Sequence, residues 1–277
     1  MTRVVSGGYT FYMDKRLDSN LTKIKNNLVR KDTDRVIVVD GAEGCGKSVF
    51  SMQVCKKLDD SFDINRVAFN PEEFKELIVR ASSGQAILFD EAFTGLSSRG
   101  ALSVINRLLV SVMMEMRQKN LIVVITMPTF FLLDKYVALW RAKDLFHVYT
   151  KKGKRGYWMY FNKEKKKLLY LYGKETYSYK GKNIPKSNFY GQFFDQYVID
   201  EDEYRLRKAK ALSDKELDTN SSNRYDKFMN QRDKLLLILR KEFNLNSIEL
   251  KELLLKYDVD ISSNRLRSIT SKKLVNR

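Results

Sequence analysis

Residues 41–48 read GAEGCGKS, three glycines set around one lysine and one hydroxyl, a composition and spacing suited to holding phosphate. Gly41, Gly44 and Gly46 let the backbone turn tightly, so that successive N–H groups point at one anion, and the N-terminus of a following helix adds its partial positive charge. Lys47 is placed to neutralise the outer phosphates, and Ser48 offers a hydroxyl to Mg²⁺. Cys45 and Val49 complete the loop's lining. The apolar run Val36 to Asp40 leads in as a strand and Val49 to Lys57 leads out as a helix, which is the context this motif requires.

A second motif, AILFDEA at residues 86–92, follows about forty residues after the loop. It predicts a buried strand ending in two carboxylates. Asp90, at the strand's C-terminal tip, reaches the Mg²⁺ shell, and Glu91 is placed to orient or deprotonate an attacking water. Such a pair points to hydrolysis rather than transfer to a small acceptor. The third motif is LIVVITMP, residues 121–128. In phosphate-loop ATPases that insert an additional strand between the loop strand and the magnesium strand, the added strand ends in a polar residue that senses the γ-phosphate. Thr126 holds that position. The implied cofactors are ATP and Mg²⁺.

The elements that must position these groups are legible as alternating patterns. Short apolar runs at Val36 to Val39, Arg66 to Phe69, Ala86 to Phe89, Leu121 to Ile125 and Leu145 to Tyr149 alternate with helix-length amphipathic stretches, as in a parallel sheet wrapped by helices. Asn70, Pro71 and Glu73 announce one helix through a cap, a proline at the first helical position and a Glu three residues after the cap. Residues 101–118 repeat apolar side chains at 102, 105, 108, 109, 112, 113 and 116, so one face is buried; Met113, Met114 and Met116 read as core filling. Ahead of the sheet, a helix over about Leu21 to Arg30 is entered through Asp18, Ser19 and Asn20.

Beyond Tyr149 the composition changes. Residues 151–182 hold eleven Lys and Arg against two Glu, a local charge of +9. Gly156 to Asn162 and Lys167 to Tyr172 predict a β-hairpin or meander. Such a run reads as a solvated face or, because Tyr157, Trp158, Tyr160, Tyr170 and Tyr172 are interleaved with it, as a surface that grips phosphates and stacks on bases. A helix over about Glu201 to Ala211 precedes a polar linker at 213–223, and three helices follow at about 225–243, 247–257 and 263–272. Their sizes and short turns resemble a helix-turn-helix or winged-helix unit, with Arg265, Arg267, Lys272 and Lys273 on or near the last helix.

The chain's balance of charge bounds its partners. Of 277 residues, 51 are Lys or Arg and 34 Asp or Glu, a formal net charge of +17. A polyanionic partner follows from that excess, and nucleic acid suits it better than a membrane. The longest apolar runs, Leu121 to Thr126 and Phe130 to Leu133, fall far short of the ~20 residues a spanning helix needs. The first residues show no signal-peptide pattern. Cys45 and Cys55 are the only cysteines and read as free thiols, fitting a reducing, cytoplasmic setting. His147, the sole histidine, sits in an apolar strand and reads as structural; no Cys/His cluster suggests zinc and no Ser/His/Asp arrangement suggests nucleophilic catalysis.

Across residues 34–150, and above all in EMRQKNLIVVITMPTFFLLDKYVALWRAKDLFHVY at 115–149, the chain resembles the FtsK/HerA group of DNA-translocating motors, which includes viral genome-packaging and conjugative-transfer ATPases. Filamentous-phage assembly ATPases of the Zot type share this core, usually with a membrane anchor. The likeness runs from an Arg before the sensor strand, through a strand ending in a polar residue and Pro, to an Arg before the next strand. The sensor position, Gln in much of the group, is Thr126 here. The resemblance implies a ring-shaped homo-oligomer, a hexamer or pentamer, in which Arg117 is an arginine finger reaching a neighbour's γ-phosphate, with Arg141 and Arg99 as weaker candidates.

The expected organisation is therefore α/β: a lead-in at 1–33, a RecA-like phosphate-loop core with a parallel sheet at 34–150, a basic β-hairpin extension and helix at 151–212, the linker, and a small helical module at 224–277. The expected function is ATP-driven translocation or packaging of DNA for a virus or mobile element. Two alternatives stay open: an ATP-switched replication initiator or loader, and a DNA-binding regulator whose ATPase core is a dimerisation switch.

Overall fold

A computed structural model describes residues 1–90, 99–220, 223–259, 261–262 and 266. They divide into two compact units, Met1–Ser213 and Asp214–Arg277.

The first unit begins with strands β1 (Thr2–Ser6) and β2 (Tyr9–Met13), an antiparallel hairpin turned by Gly7 and Gly8, both at positive φ. Asp14 then caps α1 (Lys15–Lys31), its carboxylate accepting from the N–H groups of Arg16 and Leu17. The helix thus starts earlier than the sequence pattern around Asp18 suggests, and the hairpin before it is absent from that reading. The alternation in TRVVS and YTFYM is short, and the pairing of these two strands rests on the glycine turn.

The core follows in the order β3 (Arg35–Asp40), α2 (Lys47–Leu58), β4 (Val67–Ala68), α3 (Pro71–Arg80), β5 (Ala86–Phe89), α4 (Arg99–Gln118), β6 (Ile122–Met127), β7 (Ala142–Lys151), β8 (Lys154–Phe161), α5 (Lys163–Gly173) and β9 (Phe189–Gln192). Seven strands form one sheet in the order β4-β5-β6-β3-β7-β8-β9. The first five are parallel neighbours, and β8 and β9 are added antiparallel at one edge. The fold is thus α/β, a mostly parallel seven-stranded sheet flanked by helices. Strand β6 lies between β3 and β5, so the LIVVITMP strand separates the loop strand from the strand that leads to Asp90.

Continuous apolar runs mark strands covered on both faces. In β3, Ile37 and Val39 belong to one core layer, with α1 and α2, while Val36 and Val38 belong to the other, with α3, α4 and α5. Side chains of successive strand residues point to opposite faces, so VIVV fills both layers at once.

Two sequence expectations fail between residues 150 and 175. The hairpin is real, but it joins β7 to β8 through Lys152 and Gly153, both at positive φ, and it continues the central sheet instead of forming a separate extension. Lys167 to Tyr172 is helix and not strand, because the Asn162 side chain accepts from the Lys165 N–H and caps α5. Lys166, Leu169, Tyr170 and Gly173 then fall on one buried face at helical spacing. Burial also removes most of the supposed base-stacking set: Trp158, Tyr160 and Tyr170 are core residues, and of the five only Tyr172 is exposed.

Helix α6 (Glu201–Asn220) runs through the stretch expected to be a linker, and the boundary between the units falls within it, after Ser213. The second unit also contains α7 (Asn223–Glu242) and α8 (Ser247–Leu255), the latter opened by a capping box between Asn246 and Glu249. Leu236, Leu250, Ile261 and Leu266 form its small core. Arg265, Arg267, Lys272 and Lys273 lie outside the described residues. Among the described residues, no helix is long and apolar enough to cross a membrane.

Candidate functional site

The loop at residues 41–46 links the C-terminal end of β3 to the N-terminus of α2, and its backbone explains its glycines. Gly41 has φ +149, and a Cβ there would stand 2.0 Å from the Val148 carbonyl oxygen. Gly46, at φ +96, caps α2 in the left-handed conformation with no side-chain acceptor on the helix's first N–H groups. Helix α2 is held firmly: most of it is buried, and the Gln53 amide donates to the carbonyls of Phe194 and Gln196 at 2.9 and 2.8 Å. Lys47 Nζ donates to the loop's own carbonyls at Gly41 and Ala42, both at 2.8 Å. That folds the ammonium across the mouth of the loop, where a phosphate would compete for it. Cys45 and Cys55 are buried free thiols.

Behind the loop, β3 ends at Asp40, which is fully buried. Its carboxylate accepts from the Phe130 N–H at 2.7 Å and from the Tyr179 hydroxyl, and it meets His147 Nδ1 at 2.9 Å. The His147 and Tyr179 rings stack with centroids 3.8 Å apart. His147 is therefore structural in this arrangement, tying β7 to the strand end that launches the loop. Burial and the adjacent Asp40 charge push the Tyr179 hydroxyl well above the usual tyrosine range.

Asp90 lies just past β5 with no solvent exposure. Ser48 Oγ donates to its Oδ1 at 3.0 Å, and Thr126 Oγ1 donates to the same oxygen at 2.7 Å. On Oδ2 the Tyr204 hydroxyl donates at 2.6 Å and Lys208 Nζ stands at 3.3 Å. Burial pushes the Asp90 carboxyl up, but the Lys208 charge and the bonds from Thr126, Tyr204 and Ser48 outweigh it and hold the group below the usual carboxylate value. The carboxylate is thus ionised and aimed at the Ser48 hydroxyl. Two hard oxygens converging on a point that already attracts a cation fit Mg²⁺, which takes one or two carboxylates together with substrate phosphates. Ser48 and Asp90 would hold it.

Strand β6 brings Thr126 here because it lies between β3 and β5, in register opposite Val39. Arg117, by contrast, is exposed in the last turn of α4. It precedes β6, whose far end pairs with Asp40, so Arg117 sits near the opposite ends of the strands from the loop at 41–46, about a strand length (~17 Å) away. Arg141, which precedes β7, is ion-paired to Asp34, which precedes β3, at 2.5 Å. Arg99 is the first residue of α4. Glu91 lies outside the described residues.

A cleft of about 1060 Å³ opens over the loop, ample for a nucleoside triphosphate, since ligand clefts run to about 1000 Å³. Lys47, Arg155, Arg205 and Lys208 line it against Glu43 and Asp195, a balance that favours an anion. Rings of Phe193, Phe194 and Tyr197 form its apolar wall. Sequence reasoning missed Tyr204, Lys208 and Arg155. Only the i, i+4 spacing of Tyr204 and Lys208, which puts both on one helical face, hints at a joint role, and nothing local ties that face to Asp90, more than a hundred residues earlier.

No protein-family model matches the chain, and no curated protein matches it. The class defined by fold and site together is an α/β protein with a glycine-rich loop between β3 and α2 beside a buried carboxylate that faces Ser48 and Lys208.

Proposed function

We propose that the chain is a Mg²⁺-dependent ATPase that acts on DNA as an oligomeric motor. The observation that carries the ATPase reading is the convergence of Ser48 and Thr126 on one oxygen of Asp90, 3.0 and 2.7 Å away, beside the loop that presents Lys47. A bound Mg²⁺ supplies charge neutralisation and polarises the phosphate oxygens. The loop's N–H groups and Lys47 bind the polyphosphate, Ser48 and Asp90 hold the cation, and Glu91 takes the proton of the attacking water. Thr126, through Asp90, reports on the state of the outer phosphate.

The motor reading adds two supports. The placement of β6 between β3 and β5 suits the additional-strand ATPases that the sequence resembles. Arg117, exposed and about a strand length from its own loop, would on this reading serve a neighbour's nucleotide, and turnover would then depend on assembly. Lys151, Lys152, Lys154 and Arg155, exposed at the β7–β8 turn, offer a phosphate-gripping edge for DNA.

Steady-state ATP hydrolysis with and without long double-stranded DNA tests this, for the wild type, Glu91→Gln and Arg117→Ala, with oligomeric state measured alongside. Strong stimulation by DNA is expected, lost in both variants while Glu91→Gln still binds ATP. The loss of turnover should be about 10²-fold or more for the base. Hydrolysis indifferent to DNA would sink the motor and favour a nucleotide-driven switch.

A further inference from the structure

Helix α6 delivers a cation to the place where the metal belongs. Lys208 Nζ stands 3.3 Å from Ser48 Oγ and 3.3 Å from Asp90 Oδ2, with the Tyr204 hydroxyl at 3.2 Å. These are the two side chains that would ligate Mg²⁺. The helix is pinned to the spot by Tyr204, which is buried, packs its ring 5.6 Å from that of Phe69 and donates to Asp90. Asp200 starts the helix by accepting from the Glu203 N–H at 2.8 Å, and Arg207 reaches Asn65 at 3.1 Å. The i, i+4 spacing then brings Lys208 over Tyr204 and onto Asp90.

We propose that Lys208 is a built-in cation that occupies the magnesium position between Ser48 and Asp90, and that it must be expelled from there before a metal–nucleotide complex can be held. The inference rests on the reading of residues 41–48 and Asp90 as a nucleotide site. The physical argument is substitution of one charge for another. A fully buried carboxylate needs a counter-charge, and the Lys208 ammonium, 3.3 Å away, supplies it. Magnesium binds oxygen at about 2.0–2.1 Å, so it cannot share both oxygens with an ammonium already in contact with them. Lysine suits this role because its charge is a point on a flexible four-carbon stem, long enough to carry the ammonium from Asp90 into the cleft it already lines while Tyr204 stays anchored. The metal dependence of nucleotide binding is thereby set by a residue outside all three sequence motifs.

The test is a Mg²⁺ titration of binding of a fluorescent, non-hydrolysable ATP analogue to the full chain, for the wild type, Lys208→Met, Lys208→Gln and the control Lys210→Met. Lys210 is exposed on the same helix, and its replacement changes the net charge equally. Removing the internal competitor should lower the half-saturating Mg²⁺ concentration at least about fivefold in both Lys208 variants, with Lys210→Met like the wild type. In the wild type, lysine-acylation footprinting read by mass spectrometry should show the reactivity of Lys208 changing with Mg²⁺ plus analogue but not with analogue in EDTA, which decides the matter if neither Lys208 variant folds. Metal-dependent binding with unchanged midpoints, or an equal shift in Lys210→Met, overturns the role of Lys208 and leaves the nucleotide site standing. No binding of the analogue to the wild type, with or without metal, overturns both.

Discussion

Thr126 and Asp90 are joined across neighbouring strands by a 2.7 Å hydrogen bond in which neither side chain has any solvent exposure. The pair couples β6 to the end of β5, and the Ser48 hydroxyl donates to the same carboxylate oxygen. One carboxylate therefore connects β6, the end of β5 and the start of α2 after the glycine-rich loop.

Replacing Thr126 by Val keeps the shape and deletes the donor. A buried carboxylate oxygen then loses one of its partners, which should cost about 1–3 kcal/mol of folding stability. Urea unfolding of the two proteins reads that loss directly. Because Ser48 and Lys208 still face Asp90, the variant should remain folded at neutral pH; on the proposed ATPase reading it should retain nucleotide binding while its turnover falls.

Gly41→Ala should be more damaging than its size suggests. The new Cβ would lie 2.0 Å from the Val148 carbonyl oxygen, with φ at +149, where residues other than glycine are strained. Either β7 moves away from β3 or the loop changes shape. We expect a loss of about 2–4 kcal/mol in denaturant unfolding. Gly8→Ala, where nothing lies within 4 Å of the added carbon at φ +81, serves as the comparison for backbone strain alone.

Lys166 predicts a pH dependence. It is buried, donates to the Ala138 carbonyl and lies 5.7 Å from the centre of the Phe130 ring. Burial, assisted by the nearby Lys167 charge, pushes its ammonium down to about 7. The unfolded chain, titrating near the ordinary value of 10.5, binds more protons than the folded one between those limits. Stability contributed at this site therefore rises with pH from about 7 to 10. Lys166→Met should stabilise the protein at pH 7 by about 1 kcal/mol or more, and the advantage should shrink as the pH approaches 10. Thermal unfolding of both proteins across that range checks the sign.

How much of this was legible beforehand depends on the range of the interaction concerned. The loop strand, the Asp90 strand and helix α4 follow from local patterns, because a strand buried on both faces must be continuously apolar and a half-buried helix must repeat near every fourth residue. The tight turn at residues 41–46 is readable for the same reason: its glycines, at positive φ, meet a local backbone requirement. Residues 167–172 misled the sequence reading because their short apolar and aromatic run resembles a strand's. Asn162 decides the outcome by capping a helix, and burial of Lys166 is visible only once Phe130 and Ala138 are folded beside it.

What the sequence by itself determined is the set of groups on offer: a glycine-rich loop with a lysine and a serine, a strand-end carboxylate, a basic surplus and an α/β frame. Only the tertiary structure decided which groups meet. It paired Asp40 with His147 and Tyr179, and brought Tyr204 and Lys208 onto Asp90. These contacts span roughly a hundred residues or more of chain. No local propensity encodes them; they arise when strand order and helix packing bring distant charges into a dry interior, where each must find a partner.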